Sequence, residues 1–244
     1  MMLMERRKVL SVGEVISIKG GLSGLLRDEI GQLVSDERKR VQQECLHLPL
    51  TYDEFRELFI SFGTYCLLKN NRKETFIIDD QNDPVIHQLY YYVTNDRLFA
   101  GELHKGIMLQ GKYGCGKTVV LETFTHIHNY IIRRFSLRLP MLTFIKSVNL
   151  QEQIIKQSMQ NFMRKPLAID EFGRESKAIQ DYGNVLRPVS ELLSVRSDIG
   201  VKTHGTTNFT LETLSSDEFY GKMIGDRLKM MFNFIRMEGD SRRK

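Results

Sequence analysis

The chain has 244 residues, of which 41% are hydrophobic, so it can bury a sizeable core as one large domain or as a core with a small appendage. Its net charge of +5 is compatible with an anionic partner but is weak support for one on a surface of this size. Three widely spaced cysteines without a C-x-x-C pair support neither a disulfide framework nor a zinc site. Because no stretch approaches the roughly 18 apolar residues of a membrane span, we expect an unexported cytoplasmic protein.

The first seventy residues predict a small helical region. Leu26, Ile30, Leu33 and Val34 recur at helical spacing opposite a charged face, which predicts a helix that either packs on its own core or waits for a partner. A capping box, Thr51-x-x-Glu54, opens a second helix with an apolar stripe that we expect in the core. The stripe consists of Phe55, Leu58, Phe59, Phe62 and Cys66. The polar segment that follows this helix sets the predicted domain boundary near residue 70.

Strands and helices alternate in the rest of the chain. After a helix at VIHQLYYYV, short apolar strands are predicted at GIMLQ, MLTFI, PLAID, KTHGTT and NFIRM. Helices are predicted between them, among others at NLQEQIIKQSMQNF and VLRPVSELLSV, and a capping box at Ser215-x-x-Glu218 is expected to open the last one. This alternation predicts an α/β fold, with a five-stranded parallel sheet between layers of helices.

The segment QGKYGCGKTV, residues 110–119, matches the phosphate-binding pattern G-x-x-x-x-G-K-[ST]. It follows a predicted strand and opens a predicted helix, whose first N–H groups and dipole attract phosphate. Lys117 is expected to reach the β- and γ-phosphates of ATP, and Thr118 to ligate Mg²⁺. The residues expected to contact the nucleotide are Gly111, Tyr113, Gly114, Cys115, Gly116, Lys117, Thr118, Val119 and Asp170.

An acidic pair, Asp170 and Glu171, ends another apolar strand. Asp170 is expected to hold the Mg²⁺ ion together with Thr118, partly through water, and Glu171 to act as the general base on the attacking water. Asn208 follows the next strand and is a weaker candidate for contact with the γ-phosphate or the water, since asparagine is also an ordinary turn former. A second acid at this place favours hydrolysis over simple nucleotide storage.

Positive charge clusters around and after the phosphate-binding segment, with seven basic residues and one acidic residue between positions 105 and 146. Arg133, Arg134 and Arg138 form the basic end of the helix that follows. They either compensate the helix dipole or bind the phosphates of single-stranded DNA, and the sequence favours neither alternative. Phe135, which lies among them, is expected in the core.

Taken together, these segments resemble the AAA+ ATPases, in particular the branch that contains the helicase loader DnaC, the initiator DnaA and the transposition helper IstB. The resemblance covers about residues 76–244, at KGIMLQGKYGCGKT, LAIDEFG, ELLSVRSDIGVKTHGTTN and YGKMIGDRLKMMFNFIRMEGDSRR. The last segment is the most specific, because a similar G-x-x-x-x-D-R-L helix, a strand and G-[DE]-S-x-R close loader and IstB sequences. The resemblance implies a AAA+ ATPase domain over residues 71–244, with its helical lid largely absent, and a helical partner-binding region over residues 1–70.

The resemblance also assigns two arginines. It implies that Arg227 is an arginine finger, which joins Glu171 and Asn208 in catalysis by completing the site of a neighbouring subunit. Spacing alone favours a surface cation paired with an acid close in sequence. Arg196, which precedes the sensor strand, is expected to face a subunit boundary or DNA.

The function implied is that of an ATP-dependent helicase loader, which binds ATP, Mg²⁺ and single-stranded DNA, forms homo-oligomers and delivers a replicative helicase bound by residues 1–70. The main alternative is an IstB-like ATPase that assembles on duplex DNA and engages a transposase. A nucleotide-controlled adaptor with little turnover is a third class. A small-molecule P-loop kinase is the least favoured, because it leaves Asn208 and Arg227 unexplained.

Overall fold

The computed structural model describes residues 27–36, 48–176, 179–181 and 184–242. Its contacts divide the chain into two compact units, residues 1–46 and 47–244. In the first unit, residues 27–36 form a helix, α1, on which Ile30 and Leu33 are exposed. The other residues of the predicted N-terminal region before residue 48 lie outside the described part of the chain.

The second unit is built from alternating helices and strands. Its helices are α2 (Tyr52–Lys69), α3 (Asp83–Val93), α4 (Lys117–Arg134), α5 (Ser147–Lys156), α6 (Gln160–Met163), α7 (Pro188–Ile199), α8 (Leu211–Leu214) and α9 (Gly221–Met231). Its strands are β1 (Gly106–Gly111), β2 (Thr143–Lys146), β3 (Leu167–Phe172), β4 (Ile179–Asp181), β5 (Asn184–Leu186), β6 (Thr203–Thr207) and β7 (Phe232–Met237). Within the described residues, no helix combines the length and apolarity needed to span a membrane.

Five strands form one sheet in the order β2-β3-β6-β1-β7, and every neighbouring pair is parallel. Both faces of the sheet are covered. Ile107 and Leu109 of β1 pack with α2, α3 and α4 on one face, whereas Met108 packs with α5, α7 and α9 on the other. The predicted α/β fold with a five-stranded parallel sheet between helices is therefore confirmed.

Helix α2 belongs to the core of this unit. Its capping box is present, since the Glu54 N–H donates to the Thr51 hydroxyl and the Thr51 N–H donates to the Glu54 carboxylate. Phe55 and Phe59 are fully buried and pack against residues of α3 and α4. The contacts thus place the division of the chain between residues 46 and 47, whereas the polar segment after α2 suggests a boundary near residue 70.

Two of the predicted helices differ from the structure. The first part of VLRPVSELLSV lies in β5, which pairs antiparallel with β4, and α7 begins only at Pro188. Proline suits the first turn of a helix because its missing N–H has no partner to lose there. The single helix expected over NLQEQIIKQSMQNF is divided into α5 and α6.

The capping box predicted at Ser215-x-x-Glu218 is wrong. Ser215 ends α8, and α9 begins later, at Gly221. The backbone of Ser215 is helical, with φ −84° and ψ −4°, whereas a residue whose side chain caps a helix typically has extended backbone, as Thr51 has with φ −77° and ψ 159°.

Candidate nucleotide-binding site

The loop between β1 and α4 carries the phosphate-binding pattern and has backbone conformations that favour glycine. Gly114 and Gly116 have φ of 85° and 99°. A Cβ on Gly114 would also lie 2.3 Å from Oγ of Ser241. Gly116 is the N-cap residue of α4, so the unpaired N–H groups of the first helical turn begin at the end of this loop. Such a helix N-terminus is suited to bind an anion.

Lys117, the first residue of α4, folds back over the same loop. Its Nζ donates to the carbonyl oxygens of Gly111, at 2.8 Å, and Lys112, at 2.7 Å, and lies 3.7 Å from Sγ of Cys115. The side chain is buried, and burial lowers the pKa of its ammonium group. The two carbonyl partners carry no net charge, so these contacts leave the positive charge of the ammonium group free to attract an anion.

Asp170, in β3, is fully buried, and only one of its carboxylate oxygens is hydrogen-bonded. Thr118 Oγ1 donates to Oδ1 at 3.0 Å, and Thr206 Oγ1 donates to the same atom at 2.6 Å. Oδ2 is buried without a hydrogen-bond partner. Burial raises the pKa of Asp170, and the hydrogen bonds from the two threonines oppose this rise. A free carboxylate oxygen beside a threonine hydroxyl fits a hard divalent cation such as Mg²⁺.

Strand β3 is irregular at Glu171. The register with β6 shifts between Ile169 and Phe172, and Glu171 has φ of 63°, which is unusual for a residue with a side chain. Adjacent residues of a regular strand point to opposite faces of the sheet. The irregularity therefore allows Asp170 and Glu171 to line one cavity. Backbone strain of this kind costs of order 1–3 kcal/mol and is concentrated at functional sites.

Hydrogen bonds connect Glu171 to its surroundings on both sides. Its N–H donates to Thr206 Oγ1 at 2.9 Å, and its carbonyl oxygen accepts from Ser147 Oγ at 2.8 Å. Its carboxylate pairs with the guanidinium group of Arg174, which is largely exposed. The hydroxyl of Thr206 thus joins the backbone of Glu171 to the carboxylate of Asp170.

These groups line a single cavity of about 1270 Å³, which also extends along the chain segment after α2. The structure brings together at its wall most of the site residues that the sequence predicts. They are Tyr113, Gly114, Gly116, Lys117, Thr118, Val119, Asp170, Glu171 and Asn208. Gly111, the last residue of β1, and Cys115, in the β1–α4 loop, do not line the cavity, and the side chain of Cys115 is buried.

Thr206 and Arg242 are among the residues of the cavity wall that were not predicted. The Arg242 N–H donates to the Gly114 carbonyl oxygen at 3.0 Å, and its guanidinium group donates to Asp79 Oδ1 at 2.7 Å. This hydrogen bond is the main reason why the pKa of Asp79 is lowered. The sequence signal for Thr206 is its place near the end of β6, the strand that Asn208 follows. Arg242 occupies the unspecified position of G-[DE]-S-x-R, so no pattern singles it out.

Arg227 is on α9 and does not line this cavity. Its guanidinium group donates to the Ser194 carbonyl oxygen at 3.0 Å and pairs with Asp198, and both partners belong to α7. The side chain is 25% exposed. The surface pairing that spacing alone favours is therefore present, but with an acid on another helix. The role of Arg227 in a neighbouring subunit stays a prediction.

Arg196 was expected at a subunit boundary or on DNA, and this expectation is wrong because the side chain is completely buried. Its guanidinium group donates to the carbonyl oxygens of Lys165, at 2.7 Å, and Lys202, at 2.9 Å, and to Thr203 Oγ1 at 2.9 Å. Burial lowers the pKa of Arg196 to about 10. Arg196 therefore connects α7 to the segments that enter β3 and β6.

The basic end of α4 is exposed. Arg133 and Arg134, in the last turn of α4, lie on the surface, and so do Phe135, which is 45% exposed, and Arg138, which lies beyond the end of the helix at Arg134 and not in it as predicted. The expectation that Phe135 is in the core is wrong, because it is the C-cap residue at which the buried stripe of α4 has ended. The 18 residues of α4 span roughly 27 Å, so these side chains lie at the end of the helix away from the β1–α4 loop.

The sheet order, the glycine-rich loop after β1 and the acids of β3 define an α/β protein with a P-loop. Among solved structures, the chain is similar to DnaI, with 18% identity and a TM-score of 0.52 over 83% of this chain and 99% of DnaI. It is also similar to the DnaC helicase loader, with 17% identity and a TM-score of 0.50 over 67% of this chain and 93% of that one. At these identities the similarity shows a shared fold, which confirms the predicted resemblance to DnaC-like AAA+ proteins at that level. No family model and no curated protein matches the sequence.

Proposed function

We propose that this chain is an ATP-dependent helicase loader, which binds ATP and Mg²⁺ at the β1–α4 loop and delivers a replicative helicase onto single-stranded DNA. The main support for a nucleotide site is the buried carboxylate of Asp170. One of its oxygens accepts from Thr118 Oγ1 at 3.0 Å and the other has no partner. The fold shared with the DnaC helicase loader supports the loading function.

Phosphate binding rests on the first turn of α4. The unpaired N–H groups of this turn and the ammonium group of Lys117 donate hydrogen bonds to the phosphates. When the nucleotide binds, Lys117 leaves its two carbonyl partners and donates to phosphate oxygens instead. The new hydrogen bonds are stronger because both groups are charged. Thr118 and Asp170 would hold Mg²⁺, partly through water, and the ion would neutralise charge on the phosphates. The nearby positive charge also favours the ionised form of Asp170, against the effect of its burial.

Hydrolysis requires a group that orients and deprotonates a water molecule. We assign this role to Glu171, because the irregularity of β3 places it on the same cavity as Lys117 and Thr118. Glu171 takes the proton of the attacking water, while Asn208 at the end of β6 contacts the water or the γ-phosphate. Arg227 of an adjacent copy of the chain stabilises the charge that develops on the γ-phosphoryl oxygens.

The Arg227 assignment is tested with two variants, Arg227→Ala and Asp198→Ala. Both remove the same ion pair, but only the first removes the guanidinium group. Because Asp198 is 63% exposed, Asp198→Ala should barely change the free energy of unfolding, whereas Arg227→Ala should cost about 0.5–1.5 kcal/mol more, since it also loses the hydrogen bond to Ser194. In the assembled protein, Arg227→Ala should lower the rate of ATP hydrolysis by roughly 10³–10⁵, and Asp198→Ala should not. An undiminished rate in Arg227→Ala rules out a site shared between subunits.

The DNA assignment rests on Arg133, Arg134 and Arg138, which are exposed around an exposed phenylalanine. Guanidinium groups beside an aromatic ring bind the phosphates and bases of single strands. The logarithm of the affinity should fall with the logarithm of the salt concentration, with a slope of about −0.7 for each phosphate neutralised. Salt-insensitive binding contradicts the assignment, and preferential coating of duplex DNA in the presence of ATP supports the IstB-like alternative instead.

The partner assignment is tested by retention of a purified replicative helicase on the immobilised full-length protein. We expect the helicase to be retained by the full chain and lost when residues 1–46 are removed, since the contacts divide the chain between residues 46 and 47. Equal retention by both proteins contradicts a partner-binding role of these residues.

A further inference from the structure

Three potential metal ligands meet between α2 and α4. Cys66 lies in the last turns of α2, and Glu122 and His126 lie one turn apart on α4. One ligand atom of each residue lies within 4.8 Å of those of the other two. We propose that Cys66, Glu122 and His126 bind a zinc ion, which joins α2 to the helix that begins at the phosphate-binding loop.

The chemistry of the three groups selects the metal. A thiolate, an imidazole nitrogen and a carboxylate oxygen are the donors found around Zn²⁺, whereas Mg²⁺ and Ca²⁺ take oxygen donors. Three protein ligands also leave the fourth position of a tetrahedral site to a water molecule. Zinc bonds of about 2.0–2.3 Å hold such ligands roughly 3.5 Å apart, so the three atoms need to approach one another by about 1 Å.

The surroundings of the three residues restrict their side chains. Cys66 is fully buried, and its sulfur lies 3.9 Å from Thr123 Oγ1. The imidazole ring of His126 stacks parallel to Phe62, at a centroid distance of 5.9 Å. Neighbours of this kind fix the orientation of ligands around a metal. Burial, followed by the charge of Glu122, raises the pKa of Cys66 to about 11, so zinc binding forms an S–Zn bond and releases the thiol proton to solvent.

Lys69 competes with the proposed metal. Its Nζ lies 3.1 Å from Glu122 Oε1, but 54% of its side chain is exposed. Lys69 can turn its ammonium group into solvent when zinc binds, because the ion then supplies the positive charge that the buried carboxylate of Glu122 needs. Lys69 and Glu122 also line the 1270 Å³ cavity, which gives an ion a path to the carboxylate. The ion pair and the zinc site are therefore alternative states of Glu122.

The cysteine pattern of the sequence does not reveal this site, because the ligands come from two helices that are distant in the chain. Glu122 is the single acid in the basic stretch of residues 105–146. The ion pair with Lys69 accounts for its charge, but not for the thiol and the imidazole beside it.

The test is a titration of the metal-free, full-length protein with Co²⁺, in excess Mg²⁺ and without nucleotide. We expect one equivalent to bind with a thiolate-to-cobalt charge-transfer band, and Zn²⁺ to displace it. The band should disappear in Cys66→Ser and remain in Cys45→Ser, the matched thiol control. Loss of a group that only hydrogen-bonds to a metal ligand weakens metal binding roughly 10–100-fold. His126→Gln removes a ligand itself, so it should weaken zinc binding by more than this. Lys69→Gln should tighten it.

Three results overturn the proposal. The first is the absence of a thiolate band in the unmodified protein, and the second is its persistence in Cys66→Ser. The third is a zinc affinity that Lys69→Gln leaves unchanged or weakens. If Cys66→Ser does not fold, the zinc affinities of His126→Gln and Lys69→Gln test the proposal instead. These variants are expected to fold because both positions are partly or largely exposed. Neither readout depends on ATP hydrolysis, so the zinc site and the proposed loader function are tested separately.

Discussion

At the scale of single residues, the surroundings of Asp170 disfavour an ionised carboxylate unless a cation is bound. It is fully buried, its Oδ2 has no partner and burial raises its pKa. A raised pKa means that the folded protein binds a proton at this carboxyl more readily than the unfolded chain does. Stability from this group is therefore present at low pH and lost as the pH rises through the folded-state pKa of Asp170.

We predict that Asp170→Asn stabilises the nucleotide-free protein by about 1–3 kcal/mol at neutral pH, because removing a buried charge outweighs burying an amide NH2 at the place of Oδ2, and Thr118 and Thr206 keep an acceptor. Urea unfolding of both proteins over a range of pH measures this. The difference in the free energy of unfolding should close as the pH falls below the Asp170 pKa. A variant less stable than the unmodified protein at neutral pH contradicts this account of Asp170.

Spacing and strand order in the sequence predict Lys117, Thr118, Asp170 and Glu171 as neighbours, because the carboxyl ends of parallel strands meet at one edge of a sheet. The hydroxyl of Thr206 could not be assigned in this way. Its contact with Asp170 depends on the register between β3 and β6. This register shifts within β3, and the sequence of the strand does not indicate the shift.

At the scale of elements, α2 is held by its apolar stripe. The spacing of its apolar residues predicts correctly that the stripe is in the core, and the capping box correctly marks where the helix begins. The sequence does not show which core it joins, because this depends on contacts with α4, far along the chain. The polar segment that follows α2 thus belongs to the same compact unit, residues 47–244, as the helix before it.

We predict that Phe59→Ala lowers the free energy of unfolding by about 3–5 kcal/mol, since Phe59 is fully buried against this core. Leu68→Ala on the same helix is the matched control. Leu68 is 55% exposed, so this change should shift stability by less than about 0.5 kcal/mol. Urea unfolding of the full-length variants gives both values, and equally small effects would show that α2 is not part of the core.

At the scale of the whole molecule, the alternation of strands and helices predicts the α/β class, and the structure confirms it. The pattern alone does not give the strand order, because neighbours in this sheet are not neighbours in sequence. Nor does it give the division between residues 46 and 47, since that follows from contacts rather than composition.

We predict that a protein comprising residues 47–244 unfolds at nearly the same temperature as the full chain, because it keeps the whole compact unit. Removing residues 1–70 instead deletes α2, and with it Phe55 and Phe59. Thermal unfolding followed by circular dichroism should show a large loss of stability in this shorter protein. Equal midpoints for the two truncated proteins would contradict the position of α2 in the fold.

The most direct measurement is calorimetric binding of a non-hydrolysable ATP analogue to the full-length protein, with and without Mg²⁺. We predict that the protein binds the analogue and that Mg²⁺ tightens binding. Lys117→Ala should weaken it roughly 10–150-fold, the equivalent of a charged hydrogen bond of about 1.5–3 kcal/mol, and Lys112→Ala in the same loop should have little effect. Asp170→Asn should bind the analogue as tightly as the unmodified protein does without Mg²⁺, and adding Mg²⁺ should not tighten this binding. No binding by the unmodified protein, or equal binding by Lys117→Ala, would contradict the nucleotide site.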